Sequence, residues 1–381
     1  MIFWPIGGRY CRLIQSLKDA QYRTYRPETS SHHDPNENPM PAAKPTFIHA
    51  APDHSWLGKL REEVLEPELP IIDPHHHLWN HHGGYFLEDL LEDVTSGHNI
   101  VATVYLQCGY GYRTEGPEHF RPVGETAFVA GIAEEAERRA CKTRVCAGIV
   151  GAADLTLGSR VDTVLEAHLA AGQNRLRGIR HIAARHEAFN ASMLGLPPFQ
   201  LMADKTFREG FARLAAFDLT FDAWNYHTQI AELVDLAQAF SNIPIVLNHT
   251  GGPLGIGPYS GKRDEVFQAW WADMSELAKC PNVTVKLGGL AMVVMGFDFH
   301  KEPLPPSSDE LANAWRPYFE ACIELFDAKR CMFESNFPVD KAMCSYPVLW
   351  NAFKRIANGA SCQEKQDLFH GTAANFYRLD T

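Results

Sequence analysis

From residue 69 onward, short apolar runs rich in β-branched residues alternate with longer segments whose apolar positions recur three and four apart. The first pattern fits strands buried on both faces and the second fits amphipathic helices, so the chain reads as a series of βα units. The runs are LPIID (69–73), IVATVYLQ (100–107), RVCAGIVGA (144–152), LRGIRHI (176–182), LTFDAWN (219–225), IPIVLNH (243–249), NVTVKLG (282–288) and CMFESNF (331–337). Helical candidates between them include ETAFVAGIAEEAERRA, VDTVLEAHLAA, TFREGFARLAAF, QIAELVDLAQAF and DEVFQAWWADMSELAK. Eight such units match a closed barrel, whose usual size is about 250 residues plus insertions. The predicted fold class is α/β, a (β/α)8 TIM barrel in a single domain. An open doubly wound sheet is the alternative, but the glycine motifs GxGxxG and GxxxxGK[ST] that usually mark it do not occur in the sequence.

The region before the first run differs in composition. Residues 1–50 read as a flexible N-terminal tail that ends in the polar, proline-bearing stretch 27–45, and residues 51–381 read as the barrel. Nothing before Met40 shows a sustained apolar period, so Met40 is a candidate natural start, and His32 and His33 read as solvent-exposed side chains rather than ligands.

Composition narrows the function classes. A chain that is 45% hydrophobic and 21% charged is that of a globular protein with a sizeable core, and its net charge of -11 offers no basic surface for nucleic acid or an anionic membrane. The nine cysteines are scattered, with no CxxC pair, as expected of reduced thiols in a cytoplasmic protein. No apolar run approaches the ~20 residues of a membrane span. The expected partner is a small-molecule substrate, and pairing into a homodimer or a higher homo-oligomer is left open.

In such a barrel the active site is assembled at the C-terminal ends of the strands. In IIDPHHHLW, alternation places Asp73, His75 and His77 on one face and His76 on the other. If His75 and His77 point inward, two imidazoles stand side by side at the mouth, suited to bind a metal or hold a carbonyl oxygen. In IVLNHTGGP, His249 stands at a strand end before a glycine pair that lets the chain turn tightly. The loops GYGYRTEG (109–116) and GGPLGIGPYSGKR (251–263) make Tyr110, Tyr112, Tyr259 and Arg263 weaker pocket candidates, and KEPLPPSSDE (301–310) reads as a long loop at the barrel mouth.

Six segments in order, DPHHHLW, GIRH, FDAWNYHTQ, LNHTGGP, VKLGGL and FESNFP, resemble those of the lactonase-like branch of the amidohydrolase superfamily. That branch holds 2-pyrone-4,6-dicarboxylate, fucono- and rhamnono-lactone hydrolases. The resemblance implies that His75, His77 and His249 form an electrophilic cluster around a scissile carbonyl. It further implies that Arg180 and His181 supply positive charge or donors to an acidic substrate, and that Tyr226 and His227 line the pocket. Lys286 reads either as a substrate contact or as the partner of a carboxylate inside the barrel. Asp222 and Trp224 are candidates for packing and support.

The eighth segment departs from the family, whose pattern there is GSDWP with the aspartate as general base. Here that position is Asn336, and a neutral amide orients water without taking its proton. Glu334, two residues back with the same parity, is the expected replacement base, Asp340 its rival, and a buried pairing with Lys286 or an arginine the alternative role. The expected reaction is hydrolysis of a small cyclic ester of a carboxylated or sugar-acid compound. A metal-dependent decarboxylase, an amide hydrolase and an inactive acid-binding barrel are the competing readings. The cofactor stays open between one divalent ion, zinc or manganese on His75, His77 and His249, and none.

Overall fold

A computed structural model describes residues 49–189 and 195–380. The expected tail therefore lies almost wholly outside the described residues, as do His32, His33 and Met40. All eight apolar runs form strands: β1 Pro70–His76, β2 Asn99–Leu106, β3 Arg144–Ala152, β4 Leu176–Arg180, β5 Thr220–Ala223, β6 Ile245–Leu247, β7 Val283–Leu287 and β8 Cys331–Phe333. They pair in parallel and in sequence order. Each is followed by a helix: α1 Leu87–Val94, α2 Val123–Arg138, α3 Asp162–Ala171, α4 Lys205–Arg213, α5 Ile230–Ala239, α6 Arg263–Leu277, α7 Ser308–Phe326 and α8 Tyr346–Ile356.

The sheet closes where its first and last strands meet. The His77 N–H donates to the Phe337 carbonyl (2.8 Å) and the Asn336 N–H to the His75 carbonyl (2.9 Å). This seam lies at the strand ends that carry the predicted chemistry. The expectation of a (β/α)8 TIM barrel therefore holds, and among the described residues no helix is long and apolar enough to cross a membrane.

Outward-facing positions such as Ile71, Tyr105, Ile179, Phe221 and Val285 pack under the helices in the larger apolar core. Inward-facing Ile72, Val104, Val150, Val246 and Met332 fill the barrel axis with Tyr377 and Leu379 from the C-terminal segment. Two residues beyond Val246 and Met332, with the same facing, come Asn248 and Glu334, so the axis changes from apolar to polar toward the mouth.

Two alternation arguments fail locally. A register irregularity between Asp73 and His76 breaks the parity of β1 at Pro74. Asp73 consequently faces the helices, accepting from the Ser335 N–H (3.0 Å) and the Tyr346 hydroxyl (2.9 Å), rather than sharing a face with His75 and His77. β8 ends at Phe333, four residues before the apolar run does, and Asn336 takes a left-handed backbone (φ 54) that strand alternation does not describe.

Candidate active site

The site starts from β1. His75 and His77 reach inward with their Nε2 atoms 3.3 Å apart, while His76 turns to Thr103 on the outer face. His77 Nδ1 lies 2.8 Å from the Leu106 carbonyl, which accepts only from N–H and so fixes the Nδ1-protonated tautomer. Its ring also stacks on Trp79 (interplanar angle 13°).

His249 enters from the end of β6 through an unusual turn. His249, Thr250, Gly251 and Gly252 all have positive φ, so the tight turn begins at the histidine and not at the glycines. A left-handed stretch that includes two residues with a Cβ is strained. It is held by Thr250, whose hydroxyl donates to the Gly288 carbonyl (3.0 Å) and whose carbonyl accepts from Trp270 (2.8 Å). Trp224 meets the His249 ring edge to face, with centroids 4.6 Å apart.

Glu334 ties these histidines together. Its Oε1 accepts from the His249 backbone N–H (2.9 Å) and from Nδ1 (2.8 Å), and its Oε2 lies 2.6 Å from Nδ1 of His75. Burial pushes the carboxyl upward, but the charges of His249 and Lys286 outweigh it and hold Glu334 below the ordinary range. Burial lowers all three imidazoles, helped by Lys286 at His75 and by Arg180 at His77, and countered by Glu334 at His249.

Lys286 lies fully buried beneath this group. Its ammonium donates to Asp222 (2.9 Å) and the Pro74 carbonyl (2.9 Å) and lies 3.4 Å from His75 Nδ1. This is the geometry of the carboxylate-pairing role rather than of a substrate contact. Asp222 also accepts from Asn248 (3.0 Å) and Tyr377 (2.8 Å), which makes it the support of Lys286. Glu334 stands 4.0 Å from the same ammonium, so Lys286 is a secondary neighbour of Glu334 and the histidines are the primary ones.

Arg180 ends β4 buried, and one guanidinium nitrogen donates to the Gln107 carbonyl (3.0 Å). Its Nε has no hydrogen-bond partner, and no carboxylate lies within ion-pair distance of it among the described residues. It lines a cleft with His181, Gln107, Tyr112 and Asp154. His181 also accepts from the Leu155 N–H (3.4 Å) and packs on Phe207, and burial lowers it to about 4. Tyr226 is buried between Phe189 and Trp224, and His227 accepts from the Leu254 N–H (3.3 Å) with its ring against Tyr259. Both belong to the wall beyond Trp224, one layer from the histidine group. Of the weaker loop candidates, Arg263 donates to the Met295 and Gly296 carbonyls and covers Phe297, which ties it into the loop structure.

Asn336 is buried, and its Nδ2 donates to Oδ1 of Asp340 (2.8 Å). Two other contributors escaped the sequence reading. Gln107, like the histidines, is a polar residue closing a strand run, and that signal was present. Gly288 and Gly289 have a role that only packing reveals: a Cβ on Gly288 would fall 2.4 Å from Cγ of Glu334, and one on Gly289 2.5 Å from Cβ and Nδ1 of His249.

The donor set suits a divalent ion. A neutral His75 carries one ring proton, yet two close approaches of basic atoms converge on it: Nε2 of His77 at 3.3 Å and Oε2 of Glu334 at 2.6 Å. That carboxylate oxygen makes no hydrogen bond of good geometry. A second proton on His75 is opposed by burial and by Lys286, whereas a cation beside these atoms relieves both contacts. One atom each from His75, His249 and Glu334 lie within 4.8 Å of one another, and imidazole with carboxylate is a ligand set for zinc or manganese.

Comparison with known proteins shows the family and the fold. The family model described as amidohydrolase matches residues 72–379. A protein of Sinorhizobium fredii, y4mH, itself described as uncharacterized, is 33% identical over 335 residues, covering 82% of this chain and 99% of its own. An L-fucono-1,5-lactonase of Burkholderia multivorans is 24% identical over 323 residues, 81% of this chain and 96% of its own. Among solved structures, an amidohydrolase of Burkholderia multivorans with zinc bound superposes with a TM-score of 0.63 at 24% identity, over 81% of this chain and 99% of its own. A 2-pyrone-4,6-dicarboxylic acid hydrolase of Pseudomonas putida, so named provisionally, gives 0.55 at 17% identity, over 82% and 99%. With the matched segment running from the first strand to the C-terminal segment, the chain belongs to the amidohydrolase family of hydrolases.

Proposed function

We propose that the protein hydrolyses a small lactone that carries a negative charge. The observation that carries this reading is a buried carboxylate shared by two imidazoles, beside a buried guanidinium that has no carboxylate partner among the described residues. Relatives named L-fucono-1,5-lactonase support the ester-opening chemistry. Arg180 supports the acidic substrate, because a buried cation gains most from a ligand anion that replaces lost solvation.

Glu334 works through a histidine in this reading. Both its oxygens face imidazole nitrogens, and a carboxyl held below its ordinary range is a weak base, so it is poorly placed to take a proton from water directly. His249, with Nδ1–H on Glu334, presents Nε2 as the basic atom, and the carboxylate stabilises the imidazolium that forms. Water gives a proton to His249 Nε2 while its oxygen bonds to the lactone carbonyl carbon. Arg180 supplies the positive charge opposite the resulting oxyanion. Collapse breaks the carbon–oxygen bond of the ring, and the ring oxygen takes the proton back from His249. A divalent ion, when bound, would be held by His75, His249 and Glu334, would occupy the lone pair that His249 otherwise offers as base, and would itself polarise the carbonyl and acidify water.

The test is titration of acid released from a panel of neutral and carboxylated lactones, by the wild type and by Glu334→Gln. We expect turnover favouring the carboxylated members and a loss of roughly 10²-fold or more in kcat for the variant. Release of carbon dioxide without lactone opening, or turnover indifferent to Glu334→Gln, would refute it. Elemental analysis of protein purified without chelator identifies any ion.

A further inference from the structure

Resting on the hydrolase reading above, we propose that Asn336 and Asp340 act as one unit, in which Asp340 holds the amide of Asn336 so that Oδ1 serves as a neutral acceptor for the attacking water. Three observations converge. The Asn336 amide is anchored at one end, Nδ2 to Asp340 Oδ1 at 2.8 Å, while its other end, Oδ1, is buried with no hydrogen-bond partner among the described residues. A buried acceptor without a donor is costly unless a ligand or water fills the role. The anchor is itself built in: Asp340 is buried, its Oδ2 accepts from the Ala291 N–H (3.4 Å), and its own N–H donates to the Asn336 carbonyl (3.2 Å).

The pair also stands at the reacting centre. The Asn336 N–H is bonded to His75 across the barrel seam, and its left-handed φ of 54 turns the residue away from the strand direction at that point. The Asp340 carboxylate takes the N–H of Ala291, two residues after the Gly289 that is pressed against the His249 ring, and burial, with the Glu334 charge, pushes its carboxyl well up. An amide fixed in this way has its oxygen held in one direction, because one of its two N–H groups is bound to Asp340. Asn336 is then the catalytic residue of the two, orienting water toward the carbonyl carbon, and Asp340 is the positioning residue.

The pair predicts a pattern that neither residue alone would give. Asn336→Asp places two carboxyl groups in buried contact, where burial makes them share one proton in place of the amide bond, so the oxygen turned to the water is no longer that of a fixed neutral amide. The exchanged pair, Asn336→Asp with Asp340→Asn, rebuilds the same bond with the donor now at 340 and leaves an oxygen at 336 toward the water.

Steady-state kinetics on the best lactone of the panel test this with five proteins: wild type, Asp340→Ala, Asp340→Asn, Asn336→Asp and the exchanged pair. Circular dichroism verifies folding. We expect Asp340→Ala and Asn336→Asp to lose roughly 10- to 100-fold in kcat with KM within about threefold. Asp340→Asn, which keeps an acceptor for Nδ2, and the exchanged pair should each recover to within about tenfold of wild type. If Asp340→Ala does not fold, the comparison of Asn336→Asp with the exchanged pair carries the test, since both conserve volume. An exchanged pair no more active than Asn336→Asp overturns the inference, as does wild-type kcat in Asp340→Ala. Absence of turnover by the wild type on every lactone overturns the hydrolase reading, and this inference with it.

Discussion

At the scale of single residues, burial decides what each ionisable group can do. Burial pushes the Asp73 carboxyl up to about 6 from an ordinary 3.8, against the donors Ser335 and Tyr346. Its folded-state pKa is thus raised, so the fold takes up this proton before the unfolded chain does. Stability attributable to Asp73 therefore improves as pH falls through 6 and is lowest above it. Asp73→Asn, which keeps an acceptor for Ser335 and can donate to Tyr346, should remove that dependence. Urea unfolding of both proteins at pH 8 and pH 5 should show wild type gaining ~1.4 kcal/mol on the variant over that interval. Parallel stabilities at both pH values would exclude the assignment. The same residue marks a limit of sequence reasoning. Alternation correctly faced His75, His77 and Glu334 inward, the last two just past the strand ends. It failed at Asp73, where Pro74 interrupts the register, because sequence period carries no information about a local bulge. Gly288 and Gly289 were present in the motif VKLGGL, but their close approach to Glu334 and His249 is a tertiary fact.

At the scale of elements, the strand runs were visible because each is a short apolar stretch set off by turn residues, whereas the loops that shape the cleft carry no period. The segment after β2 is an example. A single oxygen of Glu125, on α2, accepts from the backbone N–H groups of Cys108 (2.8 Å), Gly109 (2.9 Å) and Tyr110 (3.2 Å) and from the Tyr105 hydroxyl (2.8 Å). One buried carboxylate thus sets the path of the loop that brings Gln107 and Tyr112 beside Arg180, with the Gln107 amide donating to Tyr112 (2.9 Å). Glu125→Ala leaves those backbone donors unsatisfied and should raise KM about tenfold with a smaller change in kcat, as the loop loosens. Glu125→Gln keeps an acceptor and should fall between the two. Kinetics in which kcat alone drops would assign Glu125 to the chemistry instead of to the loop.

At the scale of the whole molecule, the barrel is sealed at the end opposite the site by its own C-terminus. Tyr377 reaches the axis from below and donates to Asp222, which holds Lys286, which in turn supports His75. The chain's last turn is therefore mechanically continuous with the reacting group. Tyr377→Phe removes one donor from a buried carboxylate and should lower stability by ~1–3 kcal/mol in urea unfolding, with kcat changed by only a few-fold. An unaltered unfolding midpoint would show that Asp222 does not need this bond.

The seam between β1 and β8 has a consequence for how activity arises during synthesis. Its hydrogen bonds join His75 and His77 to residues 336 and 337, some of the most sequence-distant contacts in the molecule. A nascent chain emerges N-terminus first, so the first-strand histidines leave the ribosome long before their carboxylate and amide partners exist. Chemistry is thereby withheld until the polypeptide is almost finished. Two separately expressed fragments, divided in a loop between β4 and β5, would each lack half of this junction, and would be silent apart yet competent once recombined.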